Sequence, residues 1–186
     1  IKLNQRPWLS FPVLFLASLG VPSFAHFPWP SPPCKQHVDA ALKRLRAIGA
    51  LSSSCTPLGR KLVQFPVAPR LAAILVAGAQ RNDSELLSVL IVVVAMLSVE
   101  SIPLPTSPEE RKSREIESKD FDDDMQMCVK KFSLWMHAKP VVGVNEKAMI
   151  EAKSLFAQLC RKAEAVFNVV GLEKVPTKFN SKLWLN

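Results

Sequence analysis

Four carboxylates crowd one short stretch of this 186-residue chain: Asp120, Asp122, Asp123 and Asp124. Residues of that type and density could hold a hard cation through oxygen ligands. A helix–loop–helix calcium loop, however, needs Gly at its sixth place and Glu at its twelfth. Counted from Asp120, those places hold Met125 and Lys131. The run is better matched to a helix N-terminus, where acidic side chains face the positive end of the helix dipole. The thiols and imidazoles are no more promising. Cys34, Cys55, Cys128 and Cys160 include no C-x-x-C pair, and His26, His37 and His137 lie far apart. That spacing supports neither a structural zinc site nor a Cys–His nucleophile. Free, mostly buried thiols of a reducing compartment are expected. Six glycines, at 20, 49, 59, 78, 143 and 171, are too scattered to surround phosphate oxygens. No Walker A loop, G-x-G-x-x-G or G-x-S-x-G occurs. No residue therefore reads as catalytic, cofactor-binding or metal-binding.

Cations and aromatics remain. The chain has 24 Lys and Arg against 16 Asp and Glu, a formal charge of +8. Such a surplus favours an anionic partner, either nucleic acid or an acidic surface. Arg60 and Lys61 belong to a short helix, and Arg70 opens the next. Lys130, Lys131, Lys153, Arg161 and Lys162 decorate later ones. Charges of this kind usually form a solvated face; a continuous stripe would instead neutralise phosphates and bind in a salt-dependent way. Trp8, Trp29, Trp135 and Trp184 offer faces on which bases could stack. Spaced among aliphatics, they read first as core or docking residues.

The elements that position these residues are mostly helical. A 48% apolar composition can bury a core, and 186 residues make one good domain or two small ones. The segment "WLSFPVLFLASLGVPSFAHF" reads as a lead-in helix. It also has the charged flank and apolar run of a secretory signal, though Pro12 interrupts that run. The following "FPWPSPP" is expected to be a stiff extended connector, pinned to a neighbouring surface by its aromatics. Ser31 ahead of Pro32 and Pro33 predicts a capped helix start. Val38, Ala41, Leu42, Leu45 and Ile48 then form one face, and Gly49 ends it. Ser52 to Ser54 make a turn or the tip of a small hairpin. Thr56-Pro57 starts a short helix, and Pro69 opens another that breaks at Asn82-Asp83-Ser84.

A buried helix is expected from about Glu85 to Ser101; its apolar run, Leu86 to Val99, is too short for a bilayer span. Residues 103–119 read as a mobile surface loop. Helical spacing resumes at Phe121, Met125, Val129, Phe132 and Met136. A last helix covers Asn145 to Asn168. The expected fold is mainly α. A lead-in helix and proline-rich connector (1–33) precede a helix–hairpin–helix module (34–68) and a helical bundle (69–170). A short frayed tail (171–186) follows.

In order, "FPWPSPP", "ALKRLRAIGAL", "TPLGRKLVQFPVAPRLAAIL", "VVVAMLSVESI" and "NEKAMIEAKSLFAQL" resemble the region downstream of the motor in DEAH-box RNA helicases. The similarity is closest to those of small-subunit ribosome assembly. It implies that 34–68 is a winged-helix module and 69–170 a ratchet-like bundle lining one wall of an RNA channel. By the same resemblance, Arg60, Lys61 and Arg70 are candidates for contact with RNA or with the motor. Departures exist: Ala73 stands where the family usually has a basic residue, and "DFDDD" lies near the place of a Gly-Asp pair. Neither the two RecA-like motor domains, which bind ATP and Mg in such enzymes, nor the OB-fold lies within the chain. It begins with Ile1, as a piece of a longer product would. No cofactor is expected in this chain, which alone is expected not to hydrolyse ATP.

The implied partners are rRNA precursor, the motor domains and ribosome-assembly proteins, with no membrane; the implied site is the nucleus and nucleolus. Two rivals are a non-catalytic adaptor binding nucleic acid or protein through the winged-helix-like module, and a secreted helical protein cleaved near Ala25.

Overall fold

A computed structural model of the chain describes residues 9–21, 24, 27–99, 124–139, 141 and 144–175. These residues form seven α-helices and one isolated antiparallel bridge, and no longer strand occurs among them. The fold is mainly α, as the apolar spacing predicts. Two compact units divide the chain within one helix, one ending at Val76 and the other starting at Ala77.

The first unit opens with α1 (Ser10–Ser18), which lies against α2 (Lys35–Ala47) and α3 (Pro57–Leu62). Val13 and Leu14 of α1 are wholly buried, so the apolar run is a packed core helix. Arg44 Nε of α2 reaches Ser10 Oγ at 3.4 Å. Among the described residues, the connector's aromatics hold it to itself. Trp29 Nε1 donates to the Phe24 carbonyl at 2.9 Å, and the Phe27 and Trp29 rings meet edge to face at 4.9 Å.

Helix α2 starts later than Ser31. Its N-cap is Cys34, with extended backbone (φ −60°, ψ 136°) and no side-chain cap bond. A residue before proline is driven out of the helical region, so Ser31 and Pro32 are both held extended and the helix forms only beyond Pro33. Ala41 and Leu45 carry the buried face of α2, while Val38, Leu42 and Ile48 are half-buried. Gly49, at φ +72°, ends the helix as expected. The anticipated hairpin shrinks to a single bridge between Leu51 and Cys55. Three exposed serines span its tip, and Ser52 N–H donates to the Ser54 carbonyl at 3.0 Å. After α3, the buried Phe65 and Val67 lead into α4 (Pro69–Ala79).

The second unit is built around α5 (Ser84–Ser98), which packs against both α6 (Asp124–Met136) and α7 (Glu146–Phe167). The Asp83 side chain caps α5, accepting from Leu86 N–H at 2.9 Å. Every residue from Leu86 to Met96 is buried, and Val99 has already left the helix at ψ 142°. The helix therefore stops short of the expected Ser101. Pro103 and Pro105 follow closely in sequence, and proline cannot extend a helix through its own position. Phe132 and Phe156 join α6 to α7 with ring centroids 5.4 Å apart.

Asn145 caps α7, accepting from Ala148 N–H at 3.3 Å, and Asn168 ends it in the left-handed region at φ 55°. The chain beyond α7 does not fray at once. Leu172 is wholly buried, and one Glu164 oxygen accepts from the Gly171 and Leu172 amides at 3.0 and 3.1 Å. Among the described residues, no helix is long and apolar enough to cross a membrane. Phe121, the expected loop 103–119 and the side chains of the acidic run lie outside the described residues.

Candidate nucleic-acid interface

Arg60 and Lys61 depend on the seating of α3, and two small residues set it. Thr56 caps the helix: its Oγ1 accepts from Gly59 N–H at 3.0 Å and donates to the Gly49 carbonyl at 2.7 Å. One hydroxyl thus joins the end of α2 to the start of α3. Gly59 lets the helix lie directly on the backbone of the turn. A methyl at this position would be driven into the Ala50 carbonyl oxygen and would stand 2.9 Å from Cys55 Sγ. With Gly59 and Leu62 facing inward, Arg60 and Lys61 are left exposed in the last turn of α3. Cations suit that end of a helix.

Arg70 lies in the same unit, exposed in the first turn of α4. A cation there opposes the helix dipole, so its position contributes nothing to helix stability. None of the three forms an ion pair with another described residue. Arg60 also acts on its neighbour Cys55. Burial pushes that thiol's pKa up, and the guanidinium partly opposes the rise.

The two units differ sharply in charge. Up to Val76 there are nine Lys and Arg against a single Asp; from Ala77 onward there are fifteen against fifteen. The whole net charge of +8 therefore belongs to the first unit. Counting charge by unit rather than by chain would have exposed this in the sequence.

The later basic residues do not act as one face. Lys130, Lys153, Arg161 and Lys162 are exposed, but Lys131 is only 6% exposed. Its place beside Cys128 and Val129 on the inner side of α6 overrides the expectation of a surface pair. It lines a cavity of about 20 Å³ with Met96, Cys128, Asn145 and Met149. That volume suits one water molecule and no larger ligand.

The other candidates dissolve into structure. Trp29 is spent on the connector and Trp135 is half-buried in α6, while Trp8 and Trp184 lie outside the described residues. Cys55, Cys128 and Cys160 are buried and free; Cys34 is free and exposed. Cys160 Sγ donates to the Leu172 carbonyl at 3.3 Å. Burial, reinforced by Glu164 and Glu173, pushes its pKa up to about 12. A thiol so held is a poor nucleophile. Among the described residues, no group of His, Cys, Asp or Glu could hold a metal ion.

Comparison with known proteins agrees with this architecture. Residues 41–67 match the helicase-associated domain (HA2), winged-helix, and residues 68–140 match the helicase-associated domain (HA2), ratchet-like. The putative ATP-dependent RNA helicase rha-2 of Caenorhabditis elegans is 31% identical over 195 residues, covering 82% of this chain and 17% of that protein. The pre-mRNA-splicing factor ATP-dependent RNA helicase prp22 of Schizosaccharomyces pombe is 37% identical over 100 residues, covering 53% of this chain and 8% of that protein. The ATP-dependent RNA helicase DHX33 of Mus musculus is 28% identical over 169 residues, covering 83% and 24%. The chain thus spans less than a quarter of the length of each of these relatives.

Proposed function

Since this chain belongs to the helicase-associated winged-helix and ratchet-like region of DEAH-box RNA helicases, we propose that it supports ATP-dependent RNA unwinding or remodelling as the non-hydrolysing part of such an enzyme. The observation that carries this reading is the concentration of all net positive charge in the winged-helix unit. Phosphate neutralisation by Lys and Arg supplies most sequence-independent RNA affinity. Arg60, Lys61 and Arg70 are assigned to RNA contact, being exposed and without an ion-pair partner among the described residues. ATP and Mg would be held by RecA-like motor domains, and this chain would contribute seating and guidance of the strand.

Within that reading, the substrate is rRNA precursor during small-subunit assembly, with ribosome-assembly proteins as partners and the nucleolus as the site of action. The segments quoted above, from "FPWPSPP" to "NEKAMIEAKSLFAQL", support this finer assignment. Crosslinking the native protein to RNA in cells and sequencing the bound fragments tests it. Enrichment of pre-rRNA is expected. Enrichment of intron-bearing transcripts would move the function to splicing, and no RNA above background would remove the RNA reading altogether.

A further inference from the structure

Helix α2 carries a second set of cations with no structural task. Lys35, Asp39, Lys43 and Arg46 are all exposed. At 3.6 residues per turn they fall within about 80° of the helix circumference and run about 16 Å along it. None of the four forms an ion pair with another described residue. That includes Asp39, which stands one helical turn from both Lys35 and Lys43, the spacing at which opposite charges commonly pair. Arg44 projects from the opposite side and is tied to Ser10. No large apolar side chain is exposed anywhere on α2. Protein-docking faces commonly centre on a buried aromatic anchor, and α2 presents none. A face of cations alone suits a partner that presents repeated charge and asks for no pocket.

We propose that the Lys35–Lys43–Arg46 stripe of α2 is a sugar-phosphate-binding surface for RNA, with Asp39 as a built-in attenuator of its affinity. This rests on the RNA reading above and adds a surface to it, distinct from Arg60, Lys61 and Arg70. Binding through the stripe is independent of base sequence, because the side chains meet only backbone phosphates. Asp39 repels the same phosphates and keeps the grip releasable, which a strand that must move requires.

The test is fluorescence anisotropy of a labelled single-stranded oligouridylate with the full chain, titrated from about 50 to about 200 mM salt. Three proteins are compared with the wild type: Lys43→Gln/Arg46→Gln, Asp39→Asn and Arg60→Gln/Lys61→Gln/Arg70→Gln. Loss of two single-strand phosphate contacts lowers the slope of log K against log salt by about 1.4. Removal of the Asp39 carboxylate tightens binding about two- to threefold, the effect of one unit charge acting through water over about 7 Å.

An unchanged slope in Lys43→Gln/Arg46→Gln overturns the stripe. If the Arg60, Lys61 and Arg70 variant loses affinity in the same experiment, the broader RNA reading survives that result. No binding by the wild type at low salt overturns both. Polyglutamate displacing RNA as well as an equal charge of competitor RNA overturns the assignment to RNA and points to an acidic protein. All substitutions are at exposed positions, and unchanged far-UV circular dichroism confirms that each variant is folded.

Discussion

Replacing Gly59 with Ala sets two physical effects of opposite sign against each other. Glycine in a helix interior is less favourable than alanine by about 1 kcal/mol, so propensity alone predicts a gain in stability. Packing predicts a loss. The added methyl would meet the Ala50 carbonyl oxygen, a backbone atom that cannot rotate away, and Cys55 Sγ at 2.9 Å. Overpacking of this kind costs about 1–3 kcal/mol and sometimes more. Moving α3 to relieve it also lengthens the Thr56 cap bond, now 3.0 Å, which is worth about 1 kcal/mol. The net is a destabilisation of about 1–3 kcal/mol. For a unit of this size, that is a fall in Tm of roughly 5–20 °C.

The assay is thermal unfolding followed by far-UV circular dichroism, with RNA affinity measured well below the transition. Arg60 and Lys61 immediately follow Gly59, so RNA binding should weaken even where the variant remains folded. Gly78→Ala is the comparison. Its Cβ would meet mainly the terminal methyl of Leu90, which can swing aside, so a smaller loss is expected. An unchanged or raised Tm in Gly59→Ala would show that α3 is not seated on the Ala50 backbone as described.

Further measurements probe other parts of the chain. Leu172→Ala should cost about 2–5 kcal/mol in urea unfolding, because it empties a wholly buried position; a loss below about 1 kcal/mol would mean that the segment after α7 is not anchored. Glu164→Ala removes a charge-assisted acceptor from two amides and should cost about 1.5–3 kcal/mol, with faster amide exchange at Gly171 and Leu172 as its local sign. Only Cys34 should react with a thiol reagent under native conditions, since the other three are buried; rapid modification of two or more would contradict the packing. The Cys160 pKa is raised to about 12, so the folded state keeps a proton that the unfolded state gives up from about pH 9. The stabilisation is complete below that pH and is lost as pH rises towards 12, and Cys160→Ala should flatten this part of the stability profile.

Much of this fold is legible in the sequence because local chemistry and tertiary packing agree. Thr56 stands at the helix start that its type predicts and makes the cap bond; Asp83, which reads as part of a break, and Asn145, the first residue of the last expected helix, make the same kind of bond. Gly49 ends α2 because a positive φ is needed there. The unbroken apolar run of α5 points to a helix buried all round, and the apolar residues of the last helix include those on its buried face. Ser31 misleads because two consecutive prolines hold the chain extended past the cap position, a restraint from the following residues rather than from the serine.

Lys131 is invisible in a charge count. The packing of α6 against α5 and the start of α7 decides which of two adjacent lysines turns inward. The anchoring of Leu172 depends on Glu164, one turn before the end of a helix that periodicity alone treats as finished. At the candidate interface, residue types revealed Arg60, Lys61 and Arg70. The segregation of charge between units is present in the sequence as well, but shows only when charge is counted unit by unit.

Helix α5 hides its whole circumference from Leu86 to Met96, and one of the helices covering it, α7, begins only at Glu146. During synthesis at about 5–20 residues per second, α5 leaves the ribosome several seconds before that cover exists. For that interval the nascent chain displays a sticky aliphatic rod to its surroundings. Timely capture by a chaperone, or a pause in translation after α7 is complete, then governs how much of the newborn polypeptide reaches its native form.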